Sequence, residues 1–78
     1  MTEKVRAMIA EIDPLAPHIT EDDLLIENGI IDSIQAYSLI ARIEIEWNIT
    51  FPPEYMNRET FRTIKSIVEV IRKIQKGN

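Results

Sequence analysis

The chain contains no cysteine, so disulfide staples, cysteine–zinc sites and thiol nucleophiles are excluded. The same absence leaves the redox compartment undetermined. Glycine occurs twice and proline four times, which points to helices rather than to a turn-dense β fold. No apolar run approaches the ~18 residues of a membrane-crossing helix. The opening string MTEKVRAMIA lacks the long apolar core of a signal peptide. Dense basic runs are also missing, and the net charge is −4, which suits neither nucleic acid nor an anionic membrane surface. A soluble cytoplasmic helical protein, with no membrane insertion, is the expectation.

With 45% hydrophobic and 28% charged residues, the 78-residue chain has globular composition and is expected to form one small domain over 1–78. A chain of this length buries only about 60% of its unfolded surface, and it is too short for a bilobed enzyme. Charge is unevenly spread. Residues 1–32 hold eight acids and two bases, whereas 33–78 hold five acids and seven bases. The basic end (Arg72, Lys73, Lys76) reads as complement to a helix carboxyl-terminal dipole.

Val5, Met8, Ile9 and Ile12 recur at i, i+3, i+4 and i+7, the spacing of one apolar helix face. This predicts a first helix over Glu3–Ile12, capped by Thr2 and ended by Asp13-Pro14. A long connection, 13–32, follows. In it Thr20–Asp23 resembles a capping box opening a short turn, and Asn28-Gly29 signals another. Ser33–Trp47 contains no helix breaker, and Asn48 is its expected terminator. A short helical segment is predicted over Pro53–Asn57. Thr63 then caps a last helix bearing Ile64, Ile67, Val68, Ile71 and Ile74, with 76–78 as a frayed tail. Three long helices, one short helix and a long loop between the first two make an all-α four-helix bundle.

The middle helix has two apolar faces. At about 100° per residue, Ala36, Leu39, Ile40, Ile43 and Trp47 form a core stripe. Ile34, Ala41 and Ile45 fall nearly opposite, with Tyr37 at one edge and expected to be the most covered of them. The long loop, carrying Ile26, Ile30 and Ile31, could fold over this second stripe. Alternatively the stripe is exposed and receives partners. The pattern leaves both open.

Asp32-Ser33 precedes this helix. Taken alone, the pair is most simply a cap, because both residue types bond orphan N–H groups at a helix start. A serine hydroxyl there is also a suitable attachment point for a phosphate ester, since free N–H groups and the dipole favour an anion. The wider string decides more. Gly29-Ile-Ile-Asp-Ser33-Ile34, then Leu39-Ile40-Ala-Arg-Ile43-Glu-Ile-Glu-Trp47, Ile49-Thr-Phe51-Pro52 and Thr63–Ile71 together resemble the acyl carrier protein family. The family's Asp-Ser-Leu motif is matched here with Ile34 in place of leucine.

That resemblance implies 4′-phosphopantetheine esterified to Ser33 from coenzyme A by a separate phosphopantetheinyl transferase, with Asp32 aiding the modification. The arm would carry an acyl or aminoacyl thioester between enzymes of a biosynthetic pathway, whether fatty acid, polyketide or nonribosomal peptide. The sulfur of that thioester belongs to the cofactor, which suits a cysteine-free chain. The protein is then a monomeric, non-catalytic substrate of an acyl- or aminoacyl-activating ligase and of downstream transferases. Ile34, Gln35, Tyr37, Ser38, Ala41 and Ile45 would meet those partners, and acyl cargo would partly enter between the middle and last helices. Fatty-acid carriers usually bear an acidic rank along the middle helix. Here the outward positions Gln35, Ser38 and Ile45 are uncharged and only Glu44 carries a charge. Together with the segment Pro52–Thr63, this looks more like stand-alone D-alanyl or peptidyl carriers.

Smaller features read simply. Trp47 belongs to the core stripe, and Phe51 and Phe61 are expected core plugs. Glu21-Asp22-Asp23 lacks the spaced ligands of a calcium loop, and no metal site is expected. His18 is a loop residue beside Pro17 with no pairing pattern toward Ser33. A hydrolase using Ser33 therefore lacks a base. An unmodified adaptor that binds a protein helix on the Ile34/Ala41/Ile45 stripe is the competing function.

Overall fold

A computed structural model describes residues 1–14 and 18–77. Pro17 and Asn78 lie outside the described residues. The elements described in full are α1 (Thr2–Ile12), α2 (Ser33–Trp47), a 3-10 turn (Pro53–Tyr55) and α3 (Ile64–Gln75). No strand occurs among the described residues.

α1 turns Val5, Met8 and Ile9 into the core, with Ile12 half-buried at its end. Thr2 is not its cap. Met1 is half-buried against the core and occupies the cap position without a side-chain bond. Val5 N–H closes onto the Met1 carbonyl at 3.1 Å, so the helix begins one residue before a threonine cap would allow. Asp13 is extended (φ −128°, ψ 104°), the conformation a residue before proline must take.

The connection that follows is tied to the start of α3. Leu25 N–H donates to the Arg62 carbonyl at 2.8 Å, and Lys65 N–H donates to the Glu21 carbonyl at 3.1 Å. Thr20 N–H donates to Asp23 Oδ2 at 2.7 Å, half of the expected box. The Thr20 hydroxyl, however, accepts from Asp22 rather than Asp23, and turns follow instead of a helix. Gly29 takes φ 71° at the Asn28-Gly29 turn, a conformation that favours glycine. Ile30 and Ile31 N–H then both donate to the Leu25 carbonyl, at 2.8 and 3.2 Å. This tight reversal drives Leu25 and Ile31 into the core.

α2 ends where Asn48 adopts the left-handed conformation (φ 52°, ψ 52°), a termination that asparagine tolerates better than most residues. Beyond it, Phe51 N–H donates to Glu44 Oε2 at 2.8 Å, and Phe51 and Phe61 are buried and stacked at 5.8 Å between ring centroids. The short helix expected over Pro53–Asn57 is only the Pro53–Tyr55 turn. Asn57 ends it by local competition: its Nδ2 donates to the Glu54 carbonyl at 2.8 Å and its Oδ1 accepts from Thr60 N–H at 3.0 Å.

Thr63 caps α3 as expected. Ser66 N–H donates to Thr63 Oγ1 at 3.0 Å and Thr63 N–H donates to Ser66 Oγ at 3.1 Å, so serine plays the part usually given to glutamate. Ile64, Ile67, Val68, Val70 and Ile71 are buried. α1 packs against both α2 and α3. The ion pairs Lys4–Glu46 and Arg42–Glu11 join α1 to α2 across exposed surface, where such pairs contribute about 0–1 kcal/mol.

Candidate functional site

Ser33 is the first residue of α2, and Asp32 is its cap. Gln35 N–H donates to Asp32 Oδ1 at 2.8 Å, while Asp32 N–H donates to Gln35 Oε1 at 3.0 Å. This reciprocal box leaves the serine free of the capping task that its position alone suggested. Ser33 is exposed, and its hydroxyl makes no hydrogen bond among the described residues. The N–H groups of Ser33 and Ile34 also lack acceptors among the described residues, because intrahelical bonding begins with Ala36 N–H on the Asp32 carbonyl at 2.9 Å. The corner therefore presents one free hydroxyl and two free amide donors.

Ser33 also lines a groove of about 150 Å³ with Ala36, Tyr37 and Ile40 of α2. The opposite walls are Ile26 and the segment Met56-Asn57-Arg58 with Phe61. The groove thus lies between α2 and the chain that leads into α3, with no α3 residue in its walls. Ile26 was expected only as a possible cover for the second stripe of α2, and Met56, Asn57 and Arg58 only as part of the segment Pro52–Thr63; none was expected beside Ser33. Phe51 and Phe61, stacked on each other, bracket the segment that carries Met56, Asn57 and Arg58.

The second stripe of α2 is uncovered. Ile45 is 83% exposed, Ile34 77% and Tyr37 64%, and Ala41 and Ser38 are exposed with them. Tyr37 is the most covered of the three large side chains, through its edge on the groove. The loop isoleucines do not shield the stripe. Ile31 is buried, and Ile26 and Ile30 are packed against the core. Gln35 is half-buried with its side chain held in the cap, and Glu44 is turned toward Phe51 N–H, so neither projects freely. Trp47 is half-buried against the core, and His18 is exposed. No cluster of three or more potential metal ligands occurs among the described residues. No described helix is long and apolar enough to cross a membrane.

Ser33 thus faces solvent beside the capping Asp32, at the head of a helix with an open apolar flank. A family model for the phosphopantetheine attachment site matches residues 3–71, and the chain belongs to that family. Within it the sequence is similar to D-alanyl carrier proteins. That of Lactococcus lactis subsp. lactis is 35% identical over 54 residues, covering 69% of this chain and 68% of that protein. That of Lactococcus lactis subsp. cremoris is 42% identical over 43 residues, covering 55% and 54%. The protein from Lactobacillus delbrueckii subsp. bulgaricus is 32% identical over 54 residues, covering 69% and 68%. The cofactor of the family is covalently attached 4′-phosphopantetheine. The corner at Ser33 fits it, offering a hydroxyl to esterify and amide donors for an anion.

Proposed function

We propose that Ser33 is the attachment residue and that the protein carries an acyl or aminoacyl group between enzymes of a biosynthetic pathway. The observation that supports this most is the exposed, unbonded Ser33 hydroxyl opening onto the groove, with Asp32 held beside it. When bound, the cofactor supplies a terminal thiol that holds cargo as a thioester. The chain's own residues position and recognise. The Asp32–Gln35 box fixes the first turn of α2 so that the hydroxyl faces outward. Through Oδ1 Asp32 caps the helix; its Oδ2, unbonded among the described residues, is available to help orient the incoming coenzyme in the transferase.

Ile34, Tyr37, Ser38, Ala41 and Ile45 form the face that meets the phosphopantetheinyl transferase, the activating ligase and downstream transferases. Gln35 supports that face from the cap. The D-alanyl carrier relatives favour a small aminoacyl cargo over a long acyl chain. We take residues 1–78 as one carrier domain, monomeric, cytoplasmic, non-catalytic and without nucleic-acid or membrane partners.

Incubation of the apo-protein with coenzyme A and a broad-specificity phosphopantetheinyl transferase is expected to add one cofactor mass. The addition is expected to vanish in Ser33→Ala; failure of the wild type to gain it would overturn the reading. The exposed stripe keeps one alternative in view, an unmodified adaptor that binds a partner helix on Ile34, Ala41 and Ile45. That reading requires partner binding that survives Ser33→Ala and is lost in Ile45→Asp.

A further inference from the structure

We propose that Arg58 is the counter-charge of the phosphodiester at Ser33, a residue that positions the arm along the groove. The inference rests on Ser33 being the attachment residue. Attaching a phosphodiester there places a second negative charge beside Asp32, whose carboxylate is already fixed at the same helix start. The amide donors of Ser33 and Ile34 can bond the phosphate oxygens, but they carry no net charge to balance the pair.

Among the described residues, Arg58 is the one cation in the walls of the groove that Ser33 lines. Three arginines are already paired with carboxylates: Arg6 with Glu3, Arg42 with Glu11 and Arg62 with Glu27. Arg72 lies in the last turn of α3, where it complements the dipole. Arg58 has neither arrangement, and its side chain makes no ion pair or hydrogen bond among the described residues. Its backbone is held in place. Asn57 beside it bonds the Glu54 carbonyl and accepts from Thr60 N–H, and Thr60 is buried. A guanidinium on that anchored segment can fork onto two phosphate oxygens, a geometry that the single point charge of lysine does not reproduce.

The test uses full-length protein converted to the holo form, with conversion confirmed by intact mass before any comparison. A chain that gains no mass, or gains it equally in Ser33→Ala, refutes Ser33 as attachment site, whereas a holo-protein whose added mass is lost in Ser33→Ala puts Arg58 alone to the test. The Arg58 Nε–H resonance is expected to shift between apo and holo wild type. The phosphorus resonance of the holo-protein is expected to move with added salt in the wild type, to move less in Arg58→Lys and to be insensitive in Arg58→Gln. Amide spectra of the apo variants, with Arg58 exposed, should match the wild type away from residue 58 and so report an intact fold. An unchanged Arg58 Nε–H signal on conversion, or a phosphorus resonance alike in wild type and Arg58→Gln, would overturn the proposal.

Discussion

Asp32 has two separable tasks in this account, and a pair of substitutions divides them. Asp32→Ala removes the acceptor that Gln35 N–H uses at 2.8 Å, while leaving the reverse bond from residue 32 N–H to Gln35 Oε1 possible. Loss of an N-cap costs about 0.5–2 kcal/mol, typically ~1. In a domain of this size each kcal/mol lowers Tm by roughly 4–8 °C. Asp32→Asn keeps an equally good acceptor and loses only the attraction of a charge for the helix dipole, about 0.3–1 kcal/mol at low salt. At about 1 M salt, where the Debye length is about 3 Å, even that difference fades. Thermal melts followed by circular dichroism in high salt should therefore place Asp32→Asn beside the wild type and Asp32→Ala several degrees lower. Cofactor attachment followed by intact mass should rank them differently, with Asp32→Asn slowed despite its normal Tm. Equal melting of wild type and Asp32→Ala would refute the capping argument. An Asp32→Asn protein modified at the wild-type rate would refute any role for the charge in attachment.

Three further outcomes follow from burial and backbone geometry. Ile43 is fully buried on the core stripe of α2, so Ile43→Ala should lose about 2–5 kcal/mol in urea unfolding, a large fraction of a small domain's stability. Ile45, at 83% exposure, should tolerate Ile45→Asp within about 0.5 kcal/mol by the same assay, while ligase loading of the holo-protein falls. Asn48 holds φ 52°, so Asn48→Gly should melt at or above the wild type, whereas Asn48→Ala should lose about 1 kcal/mol from left-handed strain.

Much of the helical frame was legible because its signals are local. The run from Ser33 to Trp47, the Asn48 stop and the Thr63 cap each depend on residues within a few positions of one another. Thr2 misled because the burial of Met1 against the core, a tertiary contact, moved the helix start. Asn57 misled similarly: its side chain took backbone partners that a longer helix would have needed. The second stripe of α2 could not be assigned from periodicity, since Ile26, Ile30 and Ile31 were equally able to cover it or to enter the core. The Leu25 carbonyl, accepting from both Ile30 and Ile31, turned them inward and left the stripe open. Ser33 was legible as the head of α2 from the string around it, whereas Arg58, 25 positions further along, lines the same groove through tertiary packing that no local pattern signals.

Everything functional in this account depends on which atom receives the cofactor. Intact mass of protein made in its native host, followed by fragmentation of the peptide spanning Ile30–Arg42, tests this most directly and reports any cargo as well. The expected result is a single added 4′-phosphopantetheine, with or without a small acyl or aminoacyl group, localised to Ser33. A chain that remains unmodified in that host, or an arm found on another residue, would contradict it.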